Sequence, residues 1–146
     1  MEEELYNYLV TKGICSEQNV ETIKMAIAHI HAMFPGDKIS ANTKNQQLIA
    51  IQDDLSWVTL AVKRYYVNKV NEYNKLRDPV YTTLVRNNRP SKEAIECEIR
   101  HRDNTVYDME QEINTLNNII WYLEHLNDSI DKYMRSMKFK FTAEVM

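Results

Sequence analysis

A chain of 146 residues is long enough for one domain with a modest core, and its formal net charge is −3. Only two glycines and three prolines interrupt it, and runs of alternating β-branched residues are nearly absent, so the composition favours an all-α fold. The N-terminal Met-Glu-Glu-Glu lacks the basic start of a signal peptide, and no apolar run approaches the roughly 20 residues of a membrane span. We therefore expect a cytoplasmic protein without a membrane partner.

The chain is predicted to fold as a single all-helical domain, residues 1–146, that begins with two short helices in residues 1–37. The first ends at Gly13, and Ser16 caps the second, which runs towards the Pro35-Gly36 turn. Each helix carries one apolar face. These faces predict packing against the side of a larger helical element.

A longer third helix is predicted at residues 42–77. Its apolar row is Leu48, Ile51, Leu55, Val58, Val62, Tyr66, Val70 and Tyr73. Asp78-Pro79 should break it, because proline lacks the backbone N–H and disfavours helical geometry before it. Residues 78–90 then form a connector that is short enough for an antiparallel helical hairpin.

The longest predicted helix spans residues 91–137, with Ser91 as its N-cap, and a basic tail follows at 138–146. Apolar side chains alternate at spacings of four and three, the pattern of a heptad seam. At 1.5 Å per residue this helix would be roughly 70 Å long. A rod of that length needs a partner, either from this chain or from copies of it.

The second half of this helix carries a third apolar row at Ile119, Leu126 and Tyr133, beside the polar seam residue Asn127. A stripe of that width predicts packing against more than one helix, as in a ring or bundle of subunits. The predicted oligomer interface comprises Ile113, Leu116, Ile119, Ile120, Leu123, Leu126, Asn127 and Ile130. The alternative is that these residues form an ordinary core.

Positive charge is concentrated in residues 63–92, although the protein as a whole is acidic. Eight basic residues in this window oppose Glu72 and Asp78, so the window is +6 and the remainder is −9. Tyrosines interleave with the basic residues, an arrangement that favours binding of single strands. The predicted nucleic-acid-binding residues are Lys63, Arg64, Tyr65, Lys69, Lys75, Arg77, Arg86, Arg89 and Lys92, with Arg135 and Lys138 as a second group. The alternative is a solvated helix face.

Motifs of catalysis or metal binding do not stand out. His29 and His31 are two residues apart on a helix and point to different faces, and His101 lies between two arginines. Cys15 and Cys97 have no disulfide or metal spacing and are interpreted as reduced thiols. The prediction is a protein without enzymatic activity, metal, cofactor or small-molecule substrate.

Three segments together resemble the recombination mediators of T-even-type phages, the UvsY-like family. They are residues 58–66 (VTLAVKRYY), residues 99–103 (IRHRD) and residues 126–135 (LNDSIDKYMR), with a basic Pro-Ser-Lys turn at 90–92. The resemblance covers roughly residues 45–140. It implies a helical, ring-forming protein that binds single-stranded DNA and helps a recombinase replace the single-strand-binding protein, in the host cytoplasm.

Within that resemblance, Lys63 and Arg64 match the basic pair of the family's DNA-binding motif, and Tyr65 and Tyr66 match its aromatic pair. Here the basic residues are adjacent, whereas the family usually separates them by one residue, and the glycines after the aromatic pair are missing. The leading hypothesis is thus a homo-oligomeric, non-catalytic mediator of DNA recombination, repair and replication. A structural or chaperone-like phage assembly protein that does not bind nucleic acid is the alternative, and a helical effector that binds a host protein is a third.

Overall fold

The computed structural model describes residues 1–88 and 104–145, and every regular element in these ranges is an α-helix. The described helices are α1 (Glu3–Thr11), α2 (Glu17–His31), α3 (Lys38–Asn88) and α4 (Asn104–Val145). This confirms the predicted all-α class. None of the described helices is apolar enough over a sufficient length to cross a bilayer.

The chain divides into two compact units, where the sequence predicts one domain. The first unit comprises Met1–Val62 and Ile119–Met146, and the second comprises Lys63–Asn118. The apolar row of α3 follows this division. Its members are fully or nearly fully buried as far as Val62, whereas Tyr66, Val70 and Tyr73 are only half-buried. The described hydrophobic core therefore lies mainly in the first unit.

The end of α1 is a Schellman motif around Gly13, as the position of this glycine predicts. Gly13 has a φ of 70°, a conformation that costs a residue without Cβ little. Its N–H donates to the carbonyl of Val10 at 3.0 Å, and the N–H of Ile14 donates to the carbonyl of Leu9 at 3.0 Å. These bonds satisfy the last carbonyls of α1 and turn the chain towards α2.

The predicted cap of α2 is also confirmed. The Ser16 hydroxyl accepts the N–H of Asn19 at 3.1 Å, and the Asn19 carboxamide oxygen accepts the N–H of Ser16 at 2.9 Å. This reciprocal capping box satisfies two backbone donors at once. The helix ends at His31, short of Pro35, because Ala32 adopts an extended conformation.

The bounds of α3 differ from the predicted 42–77 at both ends. The Asp37 carboxylate accepts the backbone N–H and the hydroxyl of Ser40, both at 2.8 Å, so the helix begins at Lys38. The predicted break at Asp78-Pro79 is wrong, since the helix continues to Asn88. An interior proline removes one backbone hydrogen bond and destabilises a helix by about 3 kcal/mol. A long helix can accommodate this loss by bending at the proline instead of ending there.

The predicted long helix is observed as α4 from Asn104, and its predicted start at Ser91 lies outside the described residues. The predicted basic tail at 138–146 is wrong as far as Val145, because the helix continues through it. Helical spacing explains the alternation of lysine and phenylalanine there. Phe141 is buried against the core while Phe139 is 75% exposed.

In the first unit, α3 and α4 pack in antiparallel directions, as predicted for a hairpin. Lys44 contacts Tyr133, while Gln52 further along α3 donates to the Asp131 carboxylate at 2.8 Å. Buried seam residues of α4 in this unit are Ile120, Leu123, Ile130 and Met137. The heptad pattern thus describes packing within one chain.

The third apolar row of α4 is covered within the same chain. Ile119, Leu126 and Tyr133 retain only 1%, 5% and 9% of their accessible surface. The segment after α2 supplies part of this cover, since the rings of Phe34 and Tyr133 meet edge to face at 4.9 Å. On the α1 side, the Met1 ammonium donates to the Tyr122 hydroxyl at 3.1 Å. The width of the stripe therefore does not require a second subunit.

Lys44 is a buried cation that joins α2, α3 and α4. Its ammonium donates to the carbonyl of His29 at 3.2 Å and to the Tyr133 hydroxyl at 2.6 Å. The same hydroxyl donates to the carbonyls of Ala32 and Met33 at 3.2 and 3.3 Å. The Lys44 ammonium thus provides a hydrogen-bond donor for a carbonyl at the C-terminal end of α2, where the helix dipole favours a positive charge.

Replacing Lys44 by methionine keeps most of the apolar stem and removes this cap. We expect the free energy of unfolding to fall by about 1–3 kcal/mol, because a buried carbonyl loses its donor.

Burial and the nearby Lys44 charge lower the pKa of His29, so the native state resists protonation there as the pH falls below 6.5. In Lys44→Met the His29 pKa should move back up in an NMR titration. Lys132→Met, at an exposed position of α4, is the matched control, and equal urea midpoints for both variants would contradict the role of Lys44.

Candidate nucleic-acid interface

Three of the predicted nucleic-acid contacts lie exposed on α3 in the second unit. They are Lys63, Arg64 and Lys75. Arg64 and Lys75 are eleven residues apart, close to three full turns of about 3.6 residues, so their side chains point in nearly the same direction. Lys63 lies about 100° around the helix from Arg64. These three side chains form the basic face of α3 and are the most accessible part of the predicted site on that helix, although Lys63 also has an interaction within the chain.

Tyr65 and Lys69, in contrast, belong to a network inside the second unit. The Tyr65 hydroxyl donates to the Glu112 carboxylate at 3.3 Å, and the Lys69 ammonium lies 3.7 Å from the same carboxylate and 3.5 Å from that of Glu72. The ammonium also lies 5.5 Å from the centre of the Tyr65 ring. The hydroxyl of Tyr65 is therefore bound to Glu112 of α4, and the face of its ring is already in contact with the Lys69 ammonium.

The pKa values of this network reflect the same contacts. Partial burial and the Glu112 carboxylate raise the pKa of Tyr65. Burial acts to lower the pKa of Lys69, but Glu112, Tyr65 and Glu72 outweigh it and raise that pKa. The Lys69 charge is thus stabilised by its own chain and has less to gain from a phosphate.

The α4 segment of the second unit is acidic where the α3 segment is basic. Residues 104–118 contain Asp108, Glu110 and Glu112 with no lysine or arginine, whereas residues 63–88 carry a net charge of +4. The Lys69–Glu112 pair shows one way in which this charge separation stabilises the helix pair. Part of the positive window therefore has an intramolecular role, while Arg64 and Lys75 are exposed to solvent on α3.

The other predicted contacts fall into three groups. Arg77 is half-buried and has an interaction partner, and the backbone of Arg86 belongs to the last turns of α3. Arg89 and Lys92 lie outside the described residues. Arg135 and Lys138 are exposed on α4 in the first unit, and so belong to a different unit from the basic face of α3.

The predicted oligomer interface consists mostly of side chains that are already buried in one chain. Leu116, Ile119, Ile120, Leu123, Leu126 and Ile130 are 0–9% exposed, and Ile113 and Asn127 are half-buried. A second copy cannot contact a side chain without exposed surface unless the first copy rearranges. Oligomerisation and its interface stay predictions, and only Ile113 and Asn127 of the predicted interface have appreciable exposed surface in one chain.

The second unit presents a better candidate for such contacts. Val106 and Leu116 are its only buried apolar side chains among those described, whereas Val67, Leu76 and Tyr107 are 52%, 42% and 47% exposed. The seam residues Met109 and Ile113 are only half-buried. Exposed apolar side chains also occur in the first unit, where Trp57, Trp121 and Phe139 are 65%, 63% and 75% exposed. What distinguishes the second unit is how few of its described apolar side chains are buried, and exposed apolar surface is typical of proteins that associate.

Within the described part of the chain, no group of three or more His, Cys, Asp or Glu side chains could hold a metal ion. Cys15 is a buried free thiol, and burial raises its pKa from 9.0 to about 11. A raised pKa keeps the thiol protonated and unreactive at neutral pH. Cys97 lies outside the described residues.

The Cys15 thiol should therefore resist modification while the protein is folded. In a Cys97→Ser background at pH 8, we expect its reaction with a disulfide reagent to be about tenfold or more slower than that of the urea-unfolded chain, because the buried thiol is both less ionised and less accessible to the reagent. Stability should fall as the pH rises from 9.0 towards 11, because the unfolded thiol ionises first. Equal rates for folded and unfolded chains would contradict the burial of Cys15.

Comparisons with family models, with curated proteins and with solved structures found no match for this chain. The residues of the site thus have to be judged from their own surroundings. Sequence reasoning missed the buried role of Lys44 and the clustering of Lys38, Asn42 and Asn45 beside the last turns of α4. Both depend on contacts between residues about 90 positions apart, for which a single sequence carries no signal.

Proposed function

We propose that this protein is a non-catalytic, oligomeric mediator that binds single-stranded DNA and helps a recombinase replace a single-strand-binding protein on it. The observation that carries the proposal is the exposed basic face of α3, formed by Lys63, Arg64 and Lys75 in a protein of net charge −3. An acidic protein that concentrates positive charge on one helix surface favours a polyanion there and repels it elsewhere.

Electrostatic contacts should dominate this binding. Each phosphate contact with a single strand contributes about −0.7 to the slope of log K against log salt. Base stacking is a smaller contribution, because Tyr65 is engaged with Glu112 and Lys69, while Tyr66 and Tyr73 are half-buried. Weak binding by one subunit would become tight when an oligomer repeats the basic face along one strand.

The recombinase and the single-strand-binding protein enter this proposal through the family resemblance. The acidic remainder of the chain, −9 outside residues 63–92, offers a surface for protein partners that does not compete for DNA.

Fluorescence anisotropy with an unstructured labelled oligonucleotide tests the proposal directly. We expect binding at about 50 mM salt that weakens steeply by about 200 mM, as counterion release requires. A duplex of the same sequence serves as the comparison and should bind less well. The absence of binding to the single strand at low salt would overturn the proposed function.

A structural or assembly protein is the second candidate, and the exposed apolar side chains of the second unit favour it. Val67, Leu76 and Tyr107 would be covered in an assembly of several copies. An assembly function needs no nucleic acid. If single strands fail to bind while the protein still self-associates, the mediator function is excluded and the assembly function remains.

Both candidates require self-association, which a double variant of the second unit should abolish. Val67→Asp with Leu76→Asp places charges where we expect copies to meet, and we expect at least about a tenfold weaker association at unchanged helical content. Light scattering at micromolar concentrations measures the mass, and Ile49→Asp with Met25→Asp, at comparably exposed positions of the first unit, is the control. A wild-type protein that stays monomeric would contradict this prediction.

A further inference from the structure

A cavity of about 520 Å³ lies in the first unit between the first turns of α3 and the last turns of α4. The residues that line it are, on α3, Lys38, Ala41, Asn42 and Asn45, and on α4, Met137, Lys138, Phe141 and Thr142. Its volume is within the roughly 300–1,000 Å³ that is typical of small-molecule sites. No carboxylate is among the lining residues, and the neighbouring Asp37 carboxylate is turned onto Ser40.

The floor of the cavity is apolar and already ordered. Ala41, Met137 and Phe141 are 6%, 2% and 9% exposed, so these side chains belong to the core and present only a fixed face to the cavity. Of the three, Phe141 keeps the largest exposed fraction, so its ring is the part of the floor that a flat aromatic group can contact. Such a surface exists before any ligand arrives, which lowers the entropic cost of binding.

The rim is polar, and its hydrogen-bonding groups are unused. The side chains of Lys38, Asn42, Asn45 and Lys138 line the cavity without a hydrogen bond or ion pair to any described residue. Thr142 differs, since its hydroxyl donates to the carbonyl of Lys138 at 2.9 Å. Two ammonium groups and two carboxamides are therefore directed to one apolar pocket with their donors and acceptors available.

We propose that this cavity binds one nucleotide unit, free or within a strand, with its phosphate at Lys38 and Lys138 and its base against Phe141. Lysine ammonium groups bind phosphate as point charges, and a carboxamide pairs a donor and an acceptor with a base edge. The choice of a nucleotide over another flat organic anion rests on the proposed function. Adenine is the base that best matches Asn42 and Asn45, because its N6 donates and its N7 accepts.

Titration of the full-length protein with deoxyadenosine monophosphate, followed by NMR of the asparagine side-chain amides, tests this inference. We expect the Asn42 and Asn45 amide signals to shift, with about tenfold weaker binding of deoxyribose 5-phosphate, which lacks the base. Inorganic phosphate should bind more weakly still. Shifts that inorganic phosphate reproduces in full, or the absence of any shift, would overturn the inference.

A cavity variant and its control locate the effect. Asn45→Leu with Lys138→Ala should weaken deoxyadenosine monophosphate binding by about tenfold or more, because a carboxamide and an ammonium contact are lost. Neither residue is buried, so the fold should persist, as circular dichroism can verify. Asn7→Leu with Lys132→Ala removes the same groups from other exposed positions of the first unit and should leave binding unchanged. Equal losses in both variants would contradict the site.

The outcomes separate the inference from the proposed function. If a long single strand binds and the mononucleotide does not, the cavity assignment fails and the basic face of α3 stands. If the mononucleotide binds at the cavity and long strands do not, the cavity stands as a nucleotide site and the mediator function fails. If Asn45→Leu alone, with the Lys138 charge retained, also weakens binding of an oligodeoxyadenylate severalfold, the strand itself occupies the cavity.

Discussion

Replacing Ile119 by aspartate is expected to unfold the first unit. The Ile119 side chain is 1% exposed on α4, so the new carboxylate would be buried without a partner of opposite charge. Burying an uncompensated charge costs several kcal/mol, and we expect a loss of about 4–5 kcal/mol or more from the free energy of unfolding. Since small domains have only about 5–15 kcal/mol in total, circular dichroism should show a largely lost helical signal at 37 °C.

Ile49→Asp provides the matched control for this variant. Ile49 is 53% exposed on α3 in the same unit, so its carboxylate stays hydrated and the stability should change by no more than about 0.5–1 kcal/mol. The pair of variants also decides what covers Ile119. If Ile119 lay at a contact between subunits, as the sequence predicts, its aspartate variant would be a folded and dissociated monomer. Intact helicity in that variant would therefore contradict burial within one chain.

The features that could be predicted from the sequence are those whose cause is local. Gly13 supplies the positive φ that ends α1, and Ser16 caps α2 through a residue three positions away. The apolar spacing along α3 and α4 predicted both helices and much of their buried sides, because each turn repeats the same geometry. A helical hairpin follows from two such stripes in one chain.

The features that could not be predicted depend on competition between weak signals or on distant contacts. Pro79 is a strong local breaker, yet the turns on either side outweigh it and α3 continues to Asn88. The lysines and phenylalanines after Met137 predict a basic tail, whereas in the structure this segment is helical and Phe141 is buried. The predicted tail, together with the predicted start of α3 at residue 42, concealed the cavity, since the cavity lies where the first turns of α3 meet the last turns of α4.

The candidate site shows the same limit. Its basic residues could be identified from composition, because a window of +6 in an acidic protein is evident without a structure. The partner of Tyr65 could not be, since Glu112 lies 47 positions away on another helix. The Tyr65–Glu112 contact lowers the expected contribution of stacking and leaves Lys63 and Arg64 as the principal residues of the binding hypothesis.

The double variant Lys63→Ala with Arg64→Ala is expected to weaken binding of single-stranded DNA by about tenfold or more at low salt, because two charge-assisted phosphate contacts are lost from each subunit. The slope of log K against log salt should flatten by about 1.4 per subunit, at roughly 0.7 for each contact. Both side chains are exposed, and alanine favours helix, so helical content and oligomer mass should stay unchanged. Fluorescence anisotropy at several salt concentrations, with light scattering on the same samples, measures both effects.

The double variant Lys12→Ala with Lys24→Ala is the control for the effect of net charge. It removes two positive charges from exposed positions of the first unit. This pair lowers the net charge as much as the Lys63–Arg64 pair does, and we expect it to change binding less than about twofold, since long-range attraction between exposed charges is screened beyond roughly 10 Å at moderate salt. If both double variants weaken binding equally, the effect comes from net charge and the basic face of α3 is not the site. If the Lys63–Arg64 variant binds as tightly as the wild type with the same salt slope, the strand lies elsewhere on the protein, and the nucleotide cavity becomes the first place to search.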